Sequence, residues 1–132
     1  MGFEYSWDDD EAQTVLRYTA VGDDWNWNDY HKTVRTALFA LHRIGHAVDV
    51  VVDLSDTDHL PGGAVAHVRS FGKRQNPNLT GRAVVIGLDR DIERTLTGGS
   101  DERVLRFGEQ ILYFVDDEAS AQKVLAALDS GR

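Results

Sequence analysis

Phe3, Tyr5 and Trp7 alternate with Glu4 and Ser6, the two-residue period of a strand with one buried face. An acidic run, Asp8 to Glu11, reads as a solvated turn. Thr14 to Val21 then alternates again, with Leu16, Tyr18 and Ala20 on one side and Val15, Arg17, Thr19 and Val21 on the other. The short polar connection predicts a hairpin. From Trp27 the period lengthens. Trp27, Tyr30, Val34, Leu38, Leu41 and Ile44 form one helical stripe. Asn26 is placed to cap its start, with Asp29 as the capping-box acid and Gly45 placed to end it. Ala47 to Leu54 is a valine-rich run without polar alternation, which predicts a central strand covered on both faces.

The second half repeats this rhythm less clearly. Ser55 to Leu60 is a polar loop, and Pro61, Gly62 and Gly63 open a helix whose apolar side carries Val65, Val68 and Phe71. A loop from Lys73 to Gly81 leads to a buried strand, Ala83 to Leu88. A helix from Asp89 to Leu96 is interrupted by Gly98 and Gly99 and is expected to resume from Asp101 to Phe107. Ile111 to Val115 is the last strand, and Glu118 to Leu128 the last helix, with Ala121, Val124, Leu125 and Leu128 as its stripe. The order β-β-α-β-α-β-α-β-α predicts an α/β fold: a mixed, mostly parallel sheet with an N-terminal β-hairpin. Residues 1–132 read as one domain.

Charge narrows the range of partners. With 22 acidic against 14 basic residues the formal charge is -8, so the surface repels nucleic-acid phosphates and anionic lipid headgroups. No apolar run is long enough to span a membrane. The opening residues lack the basic and apolar regions of a signal peptide, and there is no cysteine. A cytoplasmic protein is expected. Gly2 with Ser6 fits the loose myristoylation template, but no basic second anchor accompanies it.

The chain resembles the STAS domains (sulfate transporter and anti-sigma-factor antagonist) and their STAS-like relatives. Three phrases carry the resemblance: Val50-Val51-Val52-Asp53-Leu54-Ser55, Val84-Val85-Ile86-Gly87-Leu88, and Phe114-Val115-Asp116-Asp117-Glu118-Ala119. It extends from Phe3 to Leu128 and implies the SpoIIAA-like fold. In the phosphorylation-controlled branch of the family, an Asp-Ser-Ser-Gly-Leu motif opens the helix after the central strand, and a partner kinase phosphorylates one serine. Here Pro61-Gly62-Gly63-Ala64-Val65 stands at that place, so the serine switch does not carry over. The resemblance implies a non-enzymatic regulatory or protein-interaction domain lacking the phosphorylatable serine. The architecture is also similar to the CRAL-TRIO lipid-transfer domains. That likeness implies the alternative, a small-molecule domain for a nucleotide or a lipid-like ligand.

The candidate ligand-binding residues are Asp53, Ser55, Thr57, Asp58, His59, Gly62 and Gly63. They follow the carboxyl end of a strand, where open α/β sheets bind ligands, and a glycine pair at a helix start lets an anion approach the backbone. Other constellations are weaker. Asp53, Asp56 and Asp58 are oxygen donors of the type that Mg²⁺ takes, but solvated loops share that composition. A response-regulator receiver, with Asp53 as phosphoacceptor and Asp23-Asp24 as its acidic pair, lacks the intervening β-α unit, the hydroxyl at Gly87 and a Lys-Pro pair near Asp116. His42 and His46 are spaced as helical ligands, but Gly45 separates them. Ser55, His59 or His67, and Asp53 can be drawn as a triad, yet no nucleophile elbow is present. No phosphate loop or dinucleotide fingerprint occurs, and Asn78-Leu79-Thr80 is a sequon without meaning in the cytoplasm. No catalytic residue, metal or cofactor is therefore expected. A protein partner or a small ligand is. Trp25 and Trp27 flank the helix cap, one as a staple and the other as a candidate for exposure. With Tyr5 or Trp7 on the hairpin it would mark a face for a homodimer.

Overall fold

The opening alternation becomes a hairpin: β1 (Phe3–Trp7) and β2 (Val15–Ala20) pair antiparallel, with Phe3 opposite Ala20 and Trp7 opposite Leu16. The turn between them is built rather than merely solvated. Asp9 accepts hydrogen bonds from the backbone N–H groups of Thr14 and Val15, at 3.0 Å each, and from the Thr14 hydroxyl. Burial raises the Asp9 pKa, but these bonds outweigh it and hold the carboxyl below its usual range. The computed structural model describes residues 2–9 and 11–130, so Asp10 of the acidic run lies outside the described residues. The chain continues as α1 (Trp27–Leu41), β3 (Val48–Asp53), α2 (Ala64–Arg69), β4 (Leu79–Ile86), α3 (Arg90–Thr97), β5 (Val104–Phe107), β6 (Gln110–Val115) and α4 (Glu118–Ser130).

The sheet order is β1-β2-β3-β4-β6-β5. The four inner strands run parallel, and β1 and β5 join antiparallel at the two edges. Each parallel strand is added on the same side of the one before. Crossovers of one hand therefore put their helices on one face. Leu16, Tyr18, Val50, Val52, Ala83, Val85, Leu112 and Phe114 pack there with buried residues of α1, α2 and α3. The opposite face packs Val51, Val84, Ile86 and Val115 against Ala121 of α4. The central strand was legible because both of its faces are covered, and it buries Val48 to Val52 without a break.

Several boundaries and one strand differ from the sequence expectation, most by one or two residues. The capping box on α1 is present, Asn26 accepting from the Asp29 N–H and Asp29 from the Asn26 N–H. The helix stops at Leu41, however, ahead of Gly45, because the Asn78 side-chain amide captures the carbonyls of Leu41 and Ile44. β4 begins at Leu79, inside the expected loop, since Leu79 already pairs with Val48, and it ends at Ile86 rather than Leu88. No helix resumes between Asp101 and Phe107. Gly98, left-handed at φ 69°, caps α3, and Val104 to Phe107 forms the edge strand β5, turning through Gly108 and Glu109 into β6. The fold class stands, with one strand more in the sheet. Neither Trp25 nor Trp27 is exposed: both are buried, packed edge to face at 5.0 Å, and Phe3 lies 5.0 Å from Trp25. Among the described residues no helix is long and apolar enough to cross a membrane.

Candidate functional site

Two loops meet at the carboxyl ends of β2 and β3, and hydrogen bonds latch them together. The Thr57 hydroxyl donates to the Gly22 carbonyl at 2.7 Å and accepts from the Trp25 indole N–H at 3.1 Å. The Asp56 carboxylate accepts from the Gly22 N–H at 2.8 Å. Asp23 Oδ1 accepts from the backbone N–H groups of Asp58 and His59, at 2.7 and 3.1 Å. Trp27 adds a bond from its indole N–H to the Pro61 carbonyl at 3.2 Å. The loop from Ser55 to Pro61 is thereby tied to the segment that feeds α1.

This arrangement divides the residues singled out from sequence. Thr57, Asp58 and His59 sit together beside a hollow of about 210 Å³, completed by Leu54, Leu60, Gly87, Asp89 and Ile92. Asp53 belongs to the other face of the sheet. It shares the face of Val51, packed by α4, and its carboxylate meets Arg17 at 3.3 Å. Ser55 turns with it: the Ser55 N–H and hydroxyl both donate to Asp53 Oδ1, at 3.0 and 2.6 Å. The Ser55 hydroxyl is thus bound to a carboxylate, where a triad needs an imidazole. Asp53, Asp56 and Asp58 each have separate backbone or side-chain partners. No group of three or more acidic, histidine or cysteine side chains converges among the described residues.

Gly63 is the N-cap of α2 in a left-handed conformation, φ 86°, which explains glycine there. Its carbonyl accepts from the His67 N–H at 3.2 Å and lies 2.9 Å from His67 Nδ1. The His67 ring stacks on Trp27, 4.5 Å between centroids and 2° between planes, and His31 lies 5.2 Å away. Burial, followed by the neighbouring charges of His67 and Arg35, lowers the His31 pKa. His46 Nε2 pairs with the Gln13 carbonyl at 2.9 Å. His67 is thus part of the aromatic packing.

Sequence reasoning did not bring Gly22, Asp23, Gly87 and Asp89 to this site. Asp89 caps α3, accepting from the Asp91 and Ile92 N–H groups at 2.9 and 3.2 Å. Gly87, which follows β4, lies against the loop at Ser55. It adopts φ +75°, and a Cβ there would stand 2.9 Å from Ser55 Cα. Gly87→Ala is expected to cost about 1–3 kcal/mol and to speed amide exchange across residues 55–59. Chemical denaturation and hydrogen–deuterium exchange would check this; unchanged exchange in the loop would show that β4 does not hold it.

The hollow is smaller than the roughly 300–1,000 Å³ of typical ligand pockets, and Asp58 and Asp89 on its rim repel phosphate. On the helical face the cleft lined by Tyr18, Tyr30, Val34 and Val50 holds only about 20 Å³, about one water. Phe71, Val68 and Leu96 fill the space under α2 and α3.

No protein-family model matches the sequence, and no curated protein matches it either. Among solved structures, an uncharacterised protein of the DUF3478 family from Shewanella loihica PV-4, described as having a SpoIIAA-like fold, follows the same course. Its TM-score is 0.59 at 18% identity, over 94% of each chain. The chain therefore has the SpoIIAA-like fold, the fold of the STAS domains, which the phrases around Asp53, Gly87 and Asp116 had pointed to.

Proposed function

We propose that the protein is a non-enzymatic, STAS-like regulatory domain that binds another protein through the latched loop from Ser55 to Gly63. One observation carries this reading: the polar groups best placed to hold a small ligand are engaged within the chain. The Thr57 hydroxyl and the N–H groups of Asp58 and His59 each hold a neighbouring loop in place. The His59 ring and the Asp58 carboxylate remain as surface features of a fixed platform. Such a surface needs little ordering on association, which favours protein recognition. Gly62 and Gly63, without hydroxyls, make the platform constitutive where phosphorylated relatives are switched.

The test is a photo-crosslinking amino acid at position 59 of the full chain, activated in the cells that make it, with position 123 on α4 as the control. A discrete protein adduct at 59, absent at 123 and lost when Asp23→Ala frees the loop, is the expected result. Native mass spectrometry of the gently purified chain supplies the opposing outcome. A subunit carrying a dissociable small molecule of defined mass, with no adduct at 59, would replace this reading with ligand binding.

A further inference from the structure

The outer edge of the sheet has a two-fold character that the loop platform does not use. β1 lies at the edge, with β2 as its one neighbouring strand. Its bonds run from the Asp8 N–H to the Val15 carbonyl and from the Val21 N–H to the Gly2 carbonyl. By the alternation of an antiparallel ladder, the even-numbered residues face β2. Phe3, Tyr5 and Trp7 therefore direct their backbone N–H and C=O groups away from β2. Those of Tyr5 and Trp7 are open to another strand directly. Phe3 is buried and its carbonyl accepts from the Thr33 hydroxyl of α1 at 3.3 Å, leaving one lone pair for a further donor.

Two grooves flank this edge where α1 overhangs it. One, of about 290 Å³, includes Phe3, Tyr5, Asp29, Thr33 and Thr36; the other, of about 490 Å³, includes Tyr5, Trp7, Thr36, Phe39 and Arg43. Tyr5 and Thr36 line both, so they mark the midpoint between the grooves. Phe39 stands out beside the second groove with 73% of its surface exposed, an unusual place for a phenylalanine on a charged helix.

We infer that β1 and α1 form the interface of a homodimer, a second copy of this chain being related by a two-fold axis through Tyr5 and Thr36. Antiparallel pairing about Tyr5 sets Phe3 opposite Trp7 and Glu4 opposite Ser6, so the strand FEYSW meets its own copy without facing like charges. The same axis runs the two α1 helices antiparallel about Thr36. Thr33 and Phe39 are each three residues from it, on opposite sides, and Asp29 and Arg43 are each seven. Phe39 of one copy thus falls against Thr33 of the other, over the first groove, while Asp29 and Arg43 form two symmetric ion pairs. The odd-numbered backbone groups of β1 complete one twelve-stranded sheet, twice the six strands of each copy, and the edge is closed. A second copy suits this edge better than a foreign strand, because knob, groove and opposite charges are spaced equally along the sequence on either side of Thr36.

The absence of native cysteine makes the test clean. Sedimentation equilibrium of the full chain at micromolar concentration should give twice the 14.7 kDa subunit mass. Phe39→Asp, at an exposed position, should keep the melting temperature and weaken association by at least about tenfold. Thr36→Cys should oxidise to a disulfide-linked dimer, whereas Asp101→Cys should not. A wild-type subunit mass throughout, or a dimer indifferent to Phe39→Asp and uncrosslinked by Thr36→Cys, would overturn the interface. Neither result bears on the crosslink at position 59, so the two proposals fail separately.

Discussion

Phe71→Ala should destabilise the protein by about 3–5 kcal/mol and lower its melting temperature by roughly 10–20 °C. Phe71 follows α2, is fully buried, and lies 5.2 Å from the Tyr30 ring and 6.2 Å from Trp27. Those rings continue to Phe3, Trp25 and Tyr18, so one aromatic layer joins the hairpin, α1 and α2. Removing its innermost ring leaves a cavity that α2, at six residues, is too short to close by shifting. The mutant also loses the surface against which Trp27 and its partner His67 are held, so α2 should loosen first. Phe71→Leu, which keeps most of the volume, should cost less than about 1.5 kcal/mol. Urea denaturation followed by tryptophan fluorescence checks both, and equal losses for the two variants would mean that ring volume is not what the site requires.

The same layer shows what could be read in advance. Period alone puts Phe3, Tyr30 and Val34 on apolar faces and sets Leu16 with Tyr18 on one side of β2, because each sits in an element long enough to repeat. Val104 to Phe107 is four residues long and has no period to display. It is a strand only because β6 lies beside it. The local signal is Gly108-Glu109 between Phe107 and Gln110-Ile111, a two-residue turn of the hairpin type in which Gly108 takes φ 61°. The glycines at 98 and 99 drew attention instead as a break in a helix. The candidate site was legible as a location and not as a mechanism. The end of the central strand and the glycines before α2 were visible in the sequence. The partners of Thr57, Asp58 and His59 lie more than thirty residues earlier, at Gly22 and Asp23. An aspartate after a strand reads as a breaker, and nothing in its neighbours says which loop it will hold.

Arg17 is the clearest case of a residue whose role only the fold reveals, and its replacement should produce the other large effect. In sequence it occupies a polar position on an alternating strand. In the structure its side chain is 11% exposed and its guanidinium collects three carboxylates: Asp8 at 2.5 Å, Glu118 at 2.7 Å and Asp53 at 3.3 Å. It joins the hairpin turn, the end of β3 and the start of α4, the three pieces that cover this end of the sheet. Burial works against its charge, but hydrogen bonds to Asp8 and Glu118 more than offset that and raise its pKa. The hydrogen bond from Arg17 in turn holds Glu118 below the usual carboxylate range, against a smaller opposing effect of burial. Arg17→Met keeps the apolar stem and leaves the carboxylates facing one another. It should cost about 2–4 kcal/mol at neutral pH, less than a fully buried pair because Glu118 still reaches water. The pH dependence has a definite sign. A carboxylate whose folded pKa is depressed contributes stability above its unfolded pKa, about 4.3 for glutamate, and loses it as the pH falls through the folded value. The wild type should therefore weaken steadily as the pH falls below that unfolded value, while Arg17→Met, with no cation to lose, should weaken less. Denaturation curves at pH 7 and pH 3 should show the gap between the two proteins narrowing in acid. A constant gap would mean that Arg17 acts through packing of its stem, and that α4 is held to the sheet by the apolar packing of Ala121, Val124 and Leu125 with Val51, Val84, Ile86 and Val115.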